Sequence, residues 1–86
     1  MKKKNHIAFV ARGYNNFLSY IERNGLDIKD YVYIHDIEDT EGFHISMVIE
    51  HENAVRLHDY EIIMKYFKER KKNVIKVKYE QLIARK

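Results

Sequence analysis

The chain has 86 residues, no Cys, Pro or Trp, 45% apolar and 34% charged side chains, and a formal charge of +3. That length supports one hydrophobic core, and the apolar share sets the chain apart from disordered polar tracts. Without Cys there is no disulfide framework, thiol nucleophile or thiolate metal site, and no apolar run approaches the roughly 20 residues of a membrane span.

Residues 1–5 read as a basic N-terminal tail, with Lys2, Lys3 and Lys4 followed by no signal-peptide core, so the expected location is cytoplasmic. Ile7 to Ala11 is a continuous apolar run closed by Arg12-Gly13, the pattern of a strand covered on both faces. From Asn15 to Asn24, Phe17, Leu18 and Ile21 recur at helical spacing, with Tyr14 one turn earlier, and Asn24-Gly25 supplies a C-terminal stop. Asn15 or Asn16 is the expected cap of this helix, with Gly13 in the tight turn before it. Tyr31 to His35 reads as a second strand ending in an acidic loop, Asp36 to Gly42, and Ile45 to Ile49 as a third followed by a polar turn at Glu50 to Arg56. Asp59 and Glu61 then open a second helix with the stripe Tyr60, Ile63, Met64 and Phe67, and Lys68, Arg70, Lys71 and Lys72 crowd its end, as the helix dipole favours. Val74 to Val77 is the fourth strand, leading into a basic tail or short helix at 79–86.

The order β-α-β-β-α-β, one domain over 1–86, leaves two topologies. Helical links between strands one and two, and between three and four, call for parallel crossovers. The nine-residue link in the middle is short for one. The favoured expectation is a small two- or three-layer α/β domain with a mostly parallel four-stranded sheet, because the strands are continuous apolar runs; the alternative is a ferredoxin-like α+β hairpin arrangement.

Chemistry-bearing motifs are scarce. The turn after the first strand holds neither G-x-x-x-x-G-K-[ST] nor G-x-G-x-x-G, although Arg12 and Gly13 could hold an anion at the helix start. A metal centre at Asp36 would need Glu50, His51 or Glu52 to converge on it, and the five histidines share no ligand spacing. Ser19 and Ser46 lie in no nucleophile turn. No catalytic residue, metal or cofactor is assigned. Charge is more informative: residues 1–29 carry six basic side chains against two acidic, 30–61 carry nine acidic against Arg56, and 62–86 carry nine basic against Glu69 and Glu80. A fold that separates these segments gives the molecule an acidic end and a basic end. Aromatics among the lysines of 65–78 also suit nucleic acid, with Tyr66 and Tyr79 the expected exposed rings.

The first strand ending in Ala11-Arg12, the helix running from Tyr14 and Phe17 to Asn24-Gly25-Leu26-Asp27, and Asp30-Tyr31-Val32-Tyr33-Ile34 with a loop closed by Gly42 together form a pattern. It resembles small Rossmann-like or degenerate P-loop-like proteins of bacteriophages across most of residues 7 to 77. The resemblance implies a phage accessory protein made in the host cytoplasm that binds and modulates or inhibits a bacterial host protein, and it carries over no catalytic residue. Two interaction surfaces are expected: the acidic loop Asp36, Glu38, Asp39 and Glu41, or the basic helix end Arg70, Lys71 and Lys72. Nucleic-acid binding through the basic face and tail is the alternative, and a small nucleotide- or phosphate-related enzyme the third reading. The chain spans no membrane, and it is read as a monomer or a homodimer.

Overall fold

A computed structural model describes residues 5–78; residues 1–4 of the expected N-terminal tail 1–5, and the expected C-terminal tail 79–86 with Tyr79, lie outside them, while Asn5 belongs to the first strand. The first strand, β1 (Asn5–Val10), starts two residues before its apolar run, and Ala8 to Ala11 are wholly buried. The first helix, α1 (Tyr14–Arg23), buries Phe17 and Ile21 but leaves Tyr14 and Leu18 exposed, so the stripe that reaches the sheet is narrower than the sequence suggests. Its end is as expected. Leu26 N–H returns to Ile21 O and Gly25 N–H to Glu22 O, with Gly25 at φ +61, a left-handed terminator that glycine adopts without strain.

Strand β2 (Tyr31–Ile34) follows, then β3 (His44–His51), the second helix α2 (Tyr60–Glu69) and β4 (Asn73–Val77). The sheet order is β2-β1-β3-β4, and every pairing is parallel. That excludes the hairpin alternative. The link between Ile34 and His44 reaches the far side of β1 by winding residues Ile37–Thr40 into one 3-10 turn, with Ile37 packed on the α2 side of the sheet. One irregularity marks the start of β3, where Ser46 is the extra residue of a bulge against His6–Ile7 and its hydroxyl donates to His6 O.

Alternation along the buried strands feeds two cores, one on each face. Ala8, Val10, Ile34 and Val48 meet Ile63 and Phe67 of α2; Phe9, Ala11 and Ile49 meet Phe17 and Ile21 of α1. The domain is therefore a three-layer α/β/α sandwich. Fully burying a side chain such as Phe9 or Phe67 contributes about 1.5–3 kcal/mol. No helix among the described residues is long and apolar enough to cross a membrane.

Candidate functional site

The strand order reverses between β1 and β3, where open α/β sheets admit ligands beyond the strand ends. Here Asn53, in the 3-10 turn Glu52–Arg56 after β3, spans that crevice. Its Oδ1 accepts from Arg12 N–H (3.0 Å) and its Nδ2 donates to Asn16 Oδ1 (2.8 Å). Its own N–H donates to His51 Nδ1 (3.1 Å). Of the two residues expected to hold an anion, Arg12 gives its amide to Asn53 and has an exposed side chain. Gly13 is itself the helix N-cap, in extended backbone with no side-chain cap, which corrects the expected Asn15 or Asn16 cap. A Cβ on Gly13 would stand 3.0 Å from Asn16 Oδ1, so glycine lets the turn close over the asparagine pair.

The acidic loop is brought together on the β2–β3 link, but its carboxylates have different tasks. Asp39 Oδ2 accepts from His35 N–H and Asp36 N–H, both at 2.9 Å, and so caps the 3-10 turn. Asp59 does likewise from across the fold, accepting from Ile37 N–H at 3.0 Å instead of capping α2. Asp36, Glu38 and Glu41 remain on the exposed side, Asp36 beside His35 with Oδ1 to Nδ1 at 3.3 Å.

Strand β3 runs two residues beyond its apolar run and buries Glu50 and His51, which the sequence places in a polar turn. They face opposite sides of the sheet and do not converge with Asp36. Glu50, 4% exposed, accepts from Tyr60 Oη at 2.7 Å. That bond, then burial, pushes the Tyr60 hydroxyl up to about 12. Burial pushes the His51 imidazole below its ordinary range. The hydrogen bond with Asn53 and the nearby charge of Glu52 oppose that shift without reversing it. Among the described residues no group of three or more His, Asp or Glu side chains is placed to hold a metal.

The basic segment gathers at the opposite edge. Strand β4 has a strand neighbour only on its β3 side among the described residues, and it is exposed over most of its length, Val74 at 37% and Ile75 at 49%. Ile75 pairs in register with Ile49 and lies on the α1 face, while Val74 pairs with Val48 and lies on the α2 face; of the described β4 residues only Val77 packs against either core cluster. On the α2 face Lys68, Lys71, Lys72 and Lys76 line an open groove of about 480 Å³ together with Glu50, Met64 and Val74. The expected trio thus divides. Lys71 and Lys72 line the groove, whereas Arg70 lies over the Tyr66 ring, 3.7 Å from its centre, and donates to Tyr66 O. Tyr66, expected to be exposed, is half-buried beneath that guanidinium. Lys71 terminates α2 at φ +56, with Lys71 N–H bonded to Lys68 O and Lys72 N–H to Phe67 O, a conformation that costs a non-glycine residue about 1 kcal/mol.

Comparison with protein families, with curated proteins and with solved structures finds no match to this chain.

Proposed function

We propose that the chain is a protein-binding module, acting by binding rather than catalysis, that takes an acidic, extended segment of a partner onto the β4 edge. The observation that carries this reading is an open, half-exposed apolar strand set among Lys68, Lys71, Lys72, Lys76 and Lys78. An edge strand offers unpaired main-chain groups to an incoming strand, and flanking cations select one that carries carboxylates. The sheet order sets β4 and β2 at opposite edges of the sheet. The crevice at the strand reversal, filled by Asn53, also favours a surface function. The phage resemblance supplies the partner's class, a bacterial host protein met in the host cytoplasm and modulated or inhibited by the contact.

The lysine-lined groove favours a second reading, nucleic-acid binding, in which Lys68, Lys71, Lys72 and Lys76 neutralise phosphates and affinity falls steeply with salt. One experiment separates the two. The tagged protein is incubated in bacterial lysate treated with nuclease, alongside Ile75→Lys and Lys72→Glu/Lys76→Glu variants. A protein retained by the wild type and lost from both variants supports edge binding. Release of all bound material by nuclease transfers the function to nucleic acid. A partner held equally by all three chains removes β4 as the working surface.

A further inference from the structure

Strand β4 turns a different chemistry to each face of the sheet. Val74 and Lys76 lie on the α2 face, with Val48 and Glu50 as their register partners. There Lys68, Lys71 and Lys72 join Lys76 around the groove, four cations against Glu50, whose carboxylate already accepts from Tyr60 Oη. Ile75 and Val77 lie on the α1 face, Ile75 half-exposed and Val77 packed against the cluster of Phe9, Phe17 and Ile49. None of the groove lysines lines that side. Arg23 and Lys78 stand by Val77 at its far end, and Arg23 has a partner of its own.

On the reading that β4 takes up an acidic strand, we propose that this strand is two-sided: carboxylates at every second position, over the α2 face, and aliphatic side chains at the positions between, over the α1 face. A strand added to an edge continues the pleat, so its side chains alternate between the same two faces as Val74, Ile75, Lys76 and Val77. Facing side chains across such a pair sit about 5 Å apart. Those beside Val74 and Lys76 therefore meet the lysine groove, and those beside Ile75 meet an apolar surface. A slip of one residue would reverse every contact, setting carboxylates over Ile75 and aliphatic groups among ammonium groups. The alternation holds whether the strand runs parallel or antiparallel to β4, because the period of two belongs to any strand.

The test is an NMR titration of the isotope-labelled full chain with an alternating Glu/Val peptide, the same residues arranged as one Glu block and one Val block, alternating Glu/Ser, and alternating Lys/Val. Glu/Val should shift the amides of Asn73 to Val77 and bind about tenfold or more tighter than the block peptide or Glu/Ser, the combined effect of a few cross-strand pairs. Lys72→Glu/Lys76→Glu should weaken Glu/Val and strengthen Lys/Val. Ile75→Thr keeps a β-branched side chain at a half-exposed position, so it should hold the melting midpoint while narrowing the gap between Glu/Val and Glu/Ser. Equal binding of the alternating and block peptides would overturn the two-sided pattern and leave edge binding standing. Equal binding of Glu/Val and Glu/Ser would overturn its α1 side, and an unchanged charge preference in the double variant its α2 side. No shift at β4 with any peptide would overturn the pattern together with the edge reading, so the two failures are told apart.

Discussion

Replacing Asn53 with Ala removes the side chain that ties the exit of β1 to the first turn of α1. Two hydrogen bonds are lost, Arg12 N–H to Oδ1 at 3.0 Å and Nδ2 to Asn16 Oδ1 at 2.8 Å, while the Asn53 amide keeps its bond to His51. Each such bond contributes about 0.5–1.5 kcal/mol net. The Asn16 bond is part-buried and belongs near the upper value; the exposed Arg12 amide can turn to water and belongs near the lower. The sum is about 2 kcal/mol, which for a domain of this size lowers the thermal midpoint by roughly 8–16 °C. Circular dichroism melts and urea titrations measure it, with the urea slope unchanged if only the native state is affected. Asn53→Asp keeps an acceptor for Arg12 N–H, and the Asn16 amide can rotate to present its donor, so this variant should recover most of the loss. A midpoint for Asn53→Ala within about 2 °C of wild type, or an equal loss in Asn53→Asp, would refute the role of this bridge.

Three further perturbations follow from the same geometry. Tyr60→Phe leaves the buried Glu50 carboxylate without its 2.7 Å donor and should cost about 1–3 kcal/mol in urea unfolding. Because the folded Tyr60 hydroxyl is raised to about 12 from an ordinary 10, the unfolded chain releases its proton first, so stability should fall between pH 10 and 12, less steeply in Tyr60→Phe. His51 is lowered by burial, so its contribution is present above its ordinary value of 6.5 and is lost as the pH falls through the lowered value; acid melts should show this decline and His51→Gln should reduce it. Lys71→Gly removes a side chain from the left-handed position at φ +56 and should stabilise the domain by about 0.5–1 kcal/mol, read as a raised melting midpoint.

Periodicity carried most of the fold. The continuous apolar run at Ala8 to Ala11 signalled a strand buried on both faces, and the strands proved all-parallel between two helical layers. The Ile63–Phe67 stripe likewise proved to be the buried side of α2. What stayed hidden depends on contacts distant in sequence. Glu50 and His51 look like the start of a polar turn, and only strand alternation continued past Ile49 would have placed them on opposite faces, next to Tyr60 and α1 respectively. Asn53 gives no local sign of its task, because its partners lie 41 and 37 residues away. Asp39 and Asp59 count as solvent charge in composition, yet both are hydrogen-bonded to the backbone of the β2–β3 link. The basic helix end was legible as charge; its union with an open strand edge was not, since that depends on β4 being last in the sheet order.

The most direct test of edge binding uses the labelled full chain and an alternating Glu/Val peptide, with a single-stranded oligonucleotide as the competing ligand. If β4 accepts an acidic strand, the peptide should shift the amides of Asn73 to Val77 and slow their hydrogen exchange, and Ile75→Lys should abolish both effects. Slowed exchange confined to other strands, or a response of the lysine-lined groove to the oligonucleotide alone, would contradict the claim.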